Sequence, residues 1–436
     1  MPKKRRGEGK KKREEEKEKQ QQTGDSDEDD DLSSEVSHLS LDDDLASVIG
    51  EPQESERAEE EEEYGESKIA QMEASLADYL DHATHKNSHI RLQALRNIHV
   101  LLCRVHIPQV LGKWRTTLWD AVERSLCLRN KASAAEALVA VKLAALAAVQ
   151  LGDQVADSVG RLAPTLRAQI TDESLGVEYR AEGALVLAVV MYLTMDELEP
   201  MLCSLESLKR VWSGVRAGAH HQVQSVPLFC SAVLAWALLL SRAPERKQEE
   251  ALDTDLVRLC GYLENDQTEI RMSAGEALAL LYELGWELRR PARFRPSNHD
   301  QTLELLETLA SDSLKYRAKR ERRVQRSSFR QIYLALKKGD APSIRVKFGE
   351  EEMCLERWSE KLCYDTLCLV LRGGMNAHLR GNELVRDVFQ LGAPESLDHA
   401  ARRLNKLEEK AAFNMAFKER TVTRGRQRDK RVAIFT

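Results

Sequence analysis

From about residue 67 to about residue 340 the apolar positions recur at i, i+3, i+4 and i+7, and strand-like alternation is nearly absent. The pattern predicts helices separated by short polar breaks. Three of them begin near Ser88 (SHIRLQALRNIHVLL), Val177 (VEYRAEGALVLAVVMYL) and Thr268 (TEIRMSAGEALALLYEL). Each carries an arginine with a small residue three positions later: Arg91/Ala94, Arg180/Gly183 and Arg271/Ala274. The arginines are 89 and 91 residues apart, two periods of about 45, which suits armadillo and HEAT repeats. Further helices are predicted at the intermediate registers, from Ser133 and Phe229. A small residue lets neighbouring helices approach, and the apolar face then packs on the next repeat, because one helical pair cannot bury its face alone. The expected fold is all-α, an armadillo/HEAT-like α-solenoid.

At Lys338 the pattern changes. KKGDAPS reads as a turn, and IRVKFG (344–349) with EEMCLERW (351–358) could form two short strands. KLCYDTLCLVLRGGM and HLRGNELVRDVFQLG read as helices ending at glycine, and a last helix is expected from near Glu395 into the tail. The expected organisation is a polar segment 1–66, helical repeats 67–311, a mostly helical C-terminal domain 312–400, and a basic C-terminal helix and tail 401–436.

Charge changes this picture by being segregated. The chain of 436 residues has a formal net charge of −6. Residues 1–20 carry a net +5 and residues 21–66 a net −18, so residues 67–436 carry +7. The body is basic, and an anionic partner is worth considering. Residues 1–66 are too polar to bury a core and are expected to be disordered. Lys3-Lys4-Arg5-Arg6 and Lys10-Lys11-Lys12-Arg13 resemble a nuclear import signal or a solvated basic end. No secretory signal is read, and the longest apolar stretches are shorter than a membrane span, so the expectation is a soluble protein of cytoplasm or nucleus. Eight scattered cysteines, none in a C-x-x-C pair, read as reduced thiols mostly in the core.

No motif for a nucleotide, a catalytic serine or a zinc protease is present, so no enzyme and no cofactor are expected. His82, His85 and His89 have the spacing to share a helix face, but no cysteine or carboxylate pattern completes a metal shell. The strongest polar signal is KYRAKRERRVQRSSFRQIYLALKK (315–338), with ten Lys/Arg and one acid. As a helix it aligns Lys319, Arg322, Arg323, Arg326 and Arg330 on one face, with Lys315, Arg317 and Arg320 adding charge. Phe329, Ile332, Tyr333 and Leu336 mark its apolar side. Such a row can track a phosphate backbone; the competing reading is a solvated helix, which leaves the mutual repulsion of its cations unrelieved. The tail repeats the design: Phe413 and Phe417 could dock it, followed by Lys418, Arg420, Arg424, Arg426, Arg428, Lys430 and Arg431. Arginine stacks on bases and makes forked contacts to phosphate, so RNA is the expected ligand of both segments; an import signal or a solubilising tail competes.

These stretches together resemble the interferon-related developmental regulator family. The resemblance is carried by IRMSAGEALALLYELG (270–285), LASDSLKYRAKRERRVQRSSFRQ (309–331), VKFGEE (346–351), YDT (364–366), GGMNAHLRGNELVRDVFQLGAP (373–394) and AFKERTVTRGRQRDKR (416–431). It covers about residues 67–431 and is densest after 268. It implies an armadillo-like fold with a family-specific C-terminal domain, and two kinds of function. One is binding to the ribosome, through rRNA and ribosomal proteins, that holds translation silent during differentiation. The other is nuclear transcriptional co-regulation through protein partners such as co-repressor complexes. A basic helix and an extendable basic tail suit the ribosome, with the tail in the mRNA path; co-regulation would use the groove of the solenoid.

Overall fold

The computed structural model describes residues 58–126, 133–195, 197–215, 225–289, 294–311, 319–340, 342–349 and 351–393, with side chains from Ala70 and, in the helix starting at Lys319, from Gln325. Among the described residues six helical pairs follow one another: α1 (Ala58–His82) with α2 (Ser88–Arg104), α4 (Arg115–Leu126) with α5 (Ala134–Leu151), α6 (Ala156–Thr171) with α7 (Val177–Thr194), α8 (Leu198–Gly214) with α9 (Val226–Ser241), α10 (Glu245–Tyr262) with α11 (Thr268–Arg289), and α12 (His299–Ser311) with α13 (Lys319–Lys338). A short α3 (Pro108–Lys113) joins the first two pairs. The second helices form an inner row in which α2, α5, α7, α9, α11 and α13 each touch the next. This is the all-α solenoid that the periodicity predicts. The middle of the row is apolar nearly all round, and α5, α7 and α9 are buried along most of their length, as such helices must be. An 18-residue window within Ala134–Thr171 is long and apolar enough to cross a membrane, a length the sequence reading missed; most of that window is buried in the core, and the chain breaks between α5 and α6 at Gly152 (φ +52°).

The periodic arginines close the turns between the helices of a pair. Arg91 Nη1 donates to His85 O and Lys86 O, both at 2.9 Å, and Arg271 Nη1 donates to Asn265 O (2.6 Å) and Asp266 O (3.0 Å) at the same offsets. Arg180 Nε reaches Ile170 O at 2.9 Å. Arg91 and Arg271 satisfy carbonyls of the turn itself, and Arg180 a carbonyl in the last turn of the preceding helix, which has no intrahelical donor. The same turns carry a short side chain that accepts a backbone N–H two residues on: Asn87 from His89, Asp172 from Ser174 and Asn265 from Gln267. The small partners Ala94 and Ala274 are buried, and a Cβ on Gly183 would lie 3.2 Å from Ile170.

The expected repeat boundary at 311 falls inside the sixth pair, because α13 buries Phe329, Ile332, Ala335 and Leu336 against α11 and α12. Beyond it β1 (Ile344–Phe348) and β2 (Glu351–Leu355) pair antiparallel, with Ile344 opposite Leu355 and Phe348 opposite Glu351. The two strands expected from the sequence therefore form a hairpin, with Gly349 (φ +65°) in its connection. Val346, Phe348, Met353 and Leu355 face inwards, and Arg345, Lys347, Glu352 and Cys354 face solvent.

Next, α14 (Trp358–Leu371) lies across the inner row and touches α11, α9, α7, α5 and α2. Then α15 (Met375–Gly381) packs on α2 and α16 (Glu383–Val388) on α5. The inner face of the solenoid is thus filled by the protein's own C-terminal segment. Gly374 makes the closest approach: a Cβ there would overlap the Cys103 carbonyl. The groove expected to receive protein partners is already occupied.

Candidate nucleic-acid interface

The basic helix α13 ends the inner row. Its buried stripe, Gln325, Phe329, Ile332 and Leu336, repeats every three or four residues and faces the preceding repeat. Gly275 of α11 permits this contact, since a Cβ there would lie 2.9 Å from Ile332 Cδ1. Gln325 Oε1 accepts from Arg271 Nη2 at 3.1 Å, tying the helix to a repeat arginine. Packing fixes the rotation of α13 and so the flank on which the described cations Arg326, Arg330 and Lys337 sit.

Of the predicted ligand residues, Arg330 is exposed and Arg326 half-buried beside the apolar stripe. The backbone of Lys319, Arg320, Arg322 and Arg323 is helical, so 319, 322, 323, 326 and 330 share one flank by the helical repeat. Lys337, five turns beyond Lys319, falls on the same flank and was not picked out from the sequence, although the same periodicity places it there. Its Nζ donates to the Tyr333 hydroxyl at 2.5 Å and sits 4.8 Å over that ring; the hydrogen bond raises its pKa and keeps it charged. Lys315, Arg317, Phe413, Phe417, Lys418, Arg420, Arg424, Arg426, Arg428, Lys430 and Arg431 lie outside the described residues. A terminal repeat needs a polar outer face for solubility, and α13 supplies one. Solubility alone asks for polarity of either sign, whereas the described flank of α13 is cationic.

Other candidates separate from this surface. The three histidines do not share a helix face, because α1 stops at His82 and α2 starts at Ser88. His82 Nδ1 bonds Asp78 O at 2.8 Å, and His85 accepts the Asn87 N–H at 3.0 Å. Among the described cysteines Cys103 and Cys363 are buried, but Cys203 and Cys354 are exposed, Cys354 because it points outwards on β2. Core burial is therefore not general. A cleft of about 600 Å³ opens on the outer side between α8 and α10, floored by Trp236 and Leu240. Its rim mixes Arg167, Lys209, Arg210 and Lys247 with Glu199, Glu206, Glu250 and Asp255, and lacks the single sign that RNA binding needs.

Comparison with known proteins gives concordant findings. The family pattern "Interferon-related developmental regulator" matches residues 45–337, ending one residue short of the end of α13, and "Interferon-related protein conserved region" matches residues 382–432. Interferon-related developmental regulator 2 of Mus musculus is 34% identical over 379 residues, covering 85% of each chain. Interferon-related developmental regulator 1 of Homo sapiens is 33% identical, and that of Sus scrofa 32%, each over 373 residues covering 83% of this chain and 82% of the relative. Among solved structures, an engineered protein aligns at 14% identity with a TM-score of 0.37, covering 59% of this chain and 97% of its own.

Proposed function

The chain belongs to the interferon-related developmental regulator family, and from that premise we propose that it acts without catalysis, as a ribosome-binding regulator that holds translation silent. The observation that carries this reading is the cationic flank of α13, held in a fixed direction by Phe329, Ile332 and Leu336. A fixed row of cations releases the counterions of a phosphate backbone without first being ordered. The second element is the tail, whose seven Lys/Arg between 418 and 431 suit an RNA-lined channel. Placed in the mRNA path, residues 411–431 would block translation sterically. The working compartment is the cytoplasm, and the clusters at Lys3–Arg6 and Lys10–Arg13 would give a nuclear share.

The test is gradient sedimentation of the full chain with 80S ribosomes, beside a variant carrying Arg424, Arg426, Arg428 and Arg431→Glu. The wild type is expected to co-sediment at low salt and the variant to stay at the top. A wild type that stays at the top overturns the reading.

The nuclear co-regulator reading rests on the same N-terminal clusters. With the inner groove filled by residues 358–388, its protein partners would have to use outer surfaces or displace α14. Nuclear accumulation that depends on residues 3–13 would support it, and a chain that stays out of the nucleus would count against it.

A further inference from the structure

Two adjacent serines lie in the basic helix, and packing distinguishes them. Gln325, Phe329, Ile332 and Leu336 bury one side of α13, where it meets α11 and α12. At about 100° per residue, Ser327 lies roughly opposite that stripe, and it is exposed. Ser328 is a step closer to the stripe and half-buried. Arg326 stands beside Ser327, and the exposed Arg330 follows one turn later, about 60° round the helix. One hydroxyl therefore faces solvent at the edge of the cationic flank. The surrounding sequence, RERRVQRSSFRQ (320–331), holds five arginines and one acid. A protein kinase with an acidic substrate groove selects such a sequence by charge.

We propose that Ser327 is a phosphorylation site for a kinase that selects basic sequence, and that its phosphate silences the RNA-binding flank of α13. The Ser327 Oγ attacks the γ-phosphorus of ATP. The bond from Oγ to phosphorus forms as the bond from phosphorus to the bridging oxygen of ADP breaks, and the hydroxyl proton passes to a carboxylate of the kinase. The phosphoserine carries about −1.5 to −2 charges near neutral pH. Arg330, one turn on, is within reach of a helical i, i+3 pair and can answer it with charge-assisted bonds. The phosphate supplies from within the chain what RNA would supply from outside, a counterion for a row of like charges. It also sets a dianion where RNA phosphates would lie. Phe329 is fully buried, so a kinase, which binds its substrate extended, must wait for this turn to open. Among the described helices α13 ends the inner row, where a repeat array opens most readily, and bound RNA would hold it shut. Binding and modification therefore exclude each other. The loss of binding rests on the RNA reading above; the modification itself does not.

The test incubates the full-length protein with ATP and the catalytic domain of protein kinase C, a basophilic kinase, and maps the product by mass spectrometry. Ser327 should take the phosphate, and Ser327→Ala should lose it. A wild type that stays unmodified at Ser327, or is modified on Ser328 instead, overturns the site. Phosphorylated and unmodified protein are then compared for binding to 80S ribosomes and to poly(U) RNA. Affinity should fall about tenfold and the salt slope by about two, with the thermal midpoint not lowered. Protein already bound to 80S should be modified more slowly than free protein. Phosphorylated protein that binds both ligands as tightly as wild type overturns the switch. A midpoint that falls together with the affinity means that the helix has unfolded, and overturns the charge account. Wild type that binds poly(U) in a phosphate-sensitive way but not 80S leaves the switch standing and overturns the ribosome reading. Wild type that binds neither removes both.

Discussion

At its start, over residues 357–361, the C-terminal segment meets α11 through charge. At its far end, over residues 374–382, it meets α2 and α5 through neutral hydrogen bonds and close contact. At the first end Glu283 accepts from the Trp358 N–H (2.6 Å) and the Ser359 hydroxyl (2.9 Å), and Arg357 pairs with Glu287. Lys361 Nζ lies between Glu276 (2.8 Å) and Asp365 (2.6 Å). Burial works to lower the pKa of Lys361, but the two carboxylates outweigh it and raise the pKa. At the other end Gly374 abuts the Cys103 carbonyl, Asn382 Nδ2 donates to Val149 O (2.8 Å), and His378 lies fully buried. Asn382 Oδ1 already accepts the Val385 N–H, so its amide can offer His378 Nδ1 only a donor, at 3.1 Å. Nδ1 therefore accepts and Nε2 carries the proton towards Leu102 O at 3.3 Å. One end of the segment requires a charged side chain and the other requires a neutral one. A single docked element can thus be loosened from either end by opposite changes in proton activity.

The largest expected break is Gly374→Ala. The new methyl meets backbone, which cannot rotate away, so the loss of stability should be about 3 kcal/mol or more. Chemical denaturation measures the loss, and hydrogen exchange should show residues 372–388 opening while α5 and α7 stay protected. Next comes Lys361→Met, which leaves two carboxylates facing each other at the charged end and should cost roughly 3 kcal/mol. The two substitutions should add to less than their sum if they hold the same element, since undocking removes both contacts at once; full additivity in denaturant titrations would mean that the ends act independently. The smallest effect concerns pH. Burial, with His106 nearby, lowers the pKa of His378 to about 4, and burial with Lys142 and Arg372 lowers that of His99 to about 4. A histidine depressed in the fold contributes stability above the unfolded value of 6.5, and that stability is lost as pH falls from 6.5 towards 4. Between pH 7 and pH 5 the loss should be about 2 kcal/mol for His378. The raised Lys361 predicts the opposite: its contribution is complete below 10.5 and is lost only as pH rises beyond it. Melting curves across pH should flatten on the acid side in His378→Gln, whereas in Lys361→Met acid should restore part of the lost stability, because protonation relieves the facing Glu276 and Asp365 carboxylates.

The repeats were legible because they are local. Arg91, Arg180 and Arg271 act on turns within ten residues of themselves, so their spacing in the sequence records the spacing of the pairs. The hairpin was legible for the same reason. The filling of the inner face was not, because its contacts join residues such as Cys103 and Val370, 267 positions apart, and an apolar helix does not say which surface it covers. The basic helix was legible as chemistry, and Phe329, Ile332 and Leu336 already marked a face to be buried, but an apolar face does not name the helices it will cover. Cys354 could have been placed at the surface by strand alternation, and Lys337 on the basic flank by counting turns.

The covering of the inner face by α14 also sets an order in time. A chain made from its N-terminus completes α2, α5, α7, α9 and α11 well before Trp358 exists. At ordinary rates of synthesis, on the order of ten residues per second, the apolar inner surface waits from roughly 7 s at α11 to roughly 25 s at α2 for the segment that closes it. A message cut short before that point would yield a chain with its repeats formed and its inner face bare, a ready client for chaperones and proteases. The segment that closes the inner face is made only after every repeat that it covers.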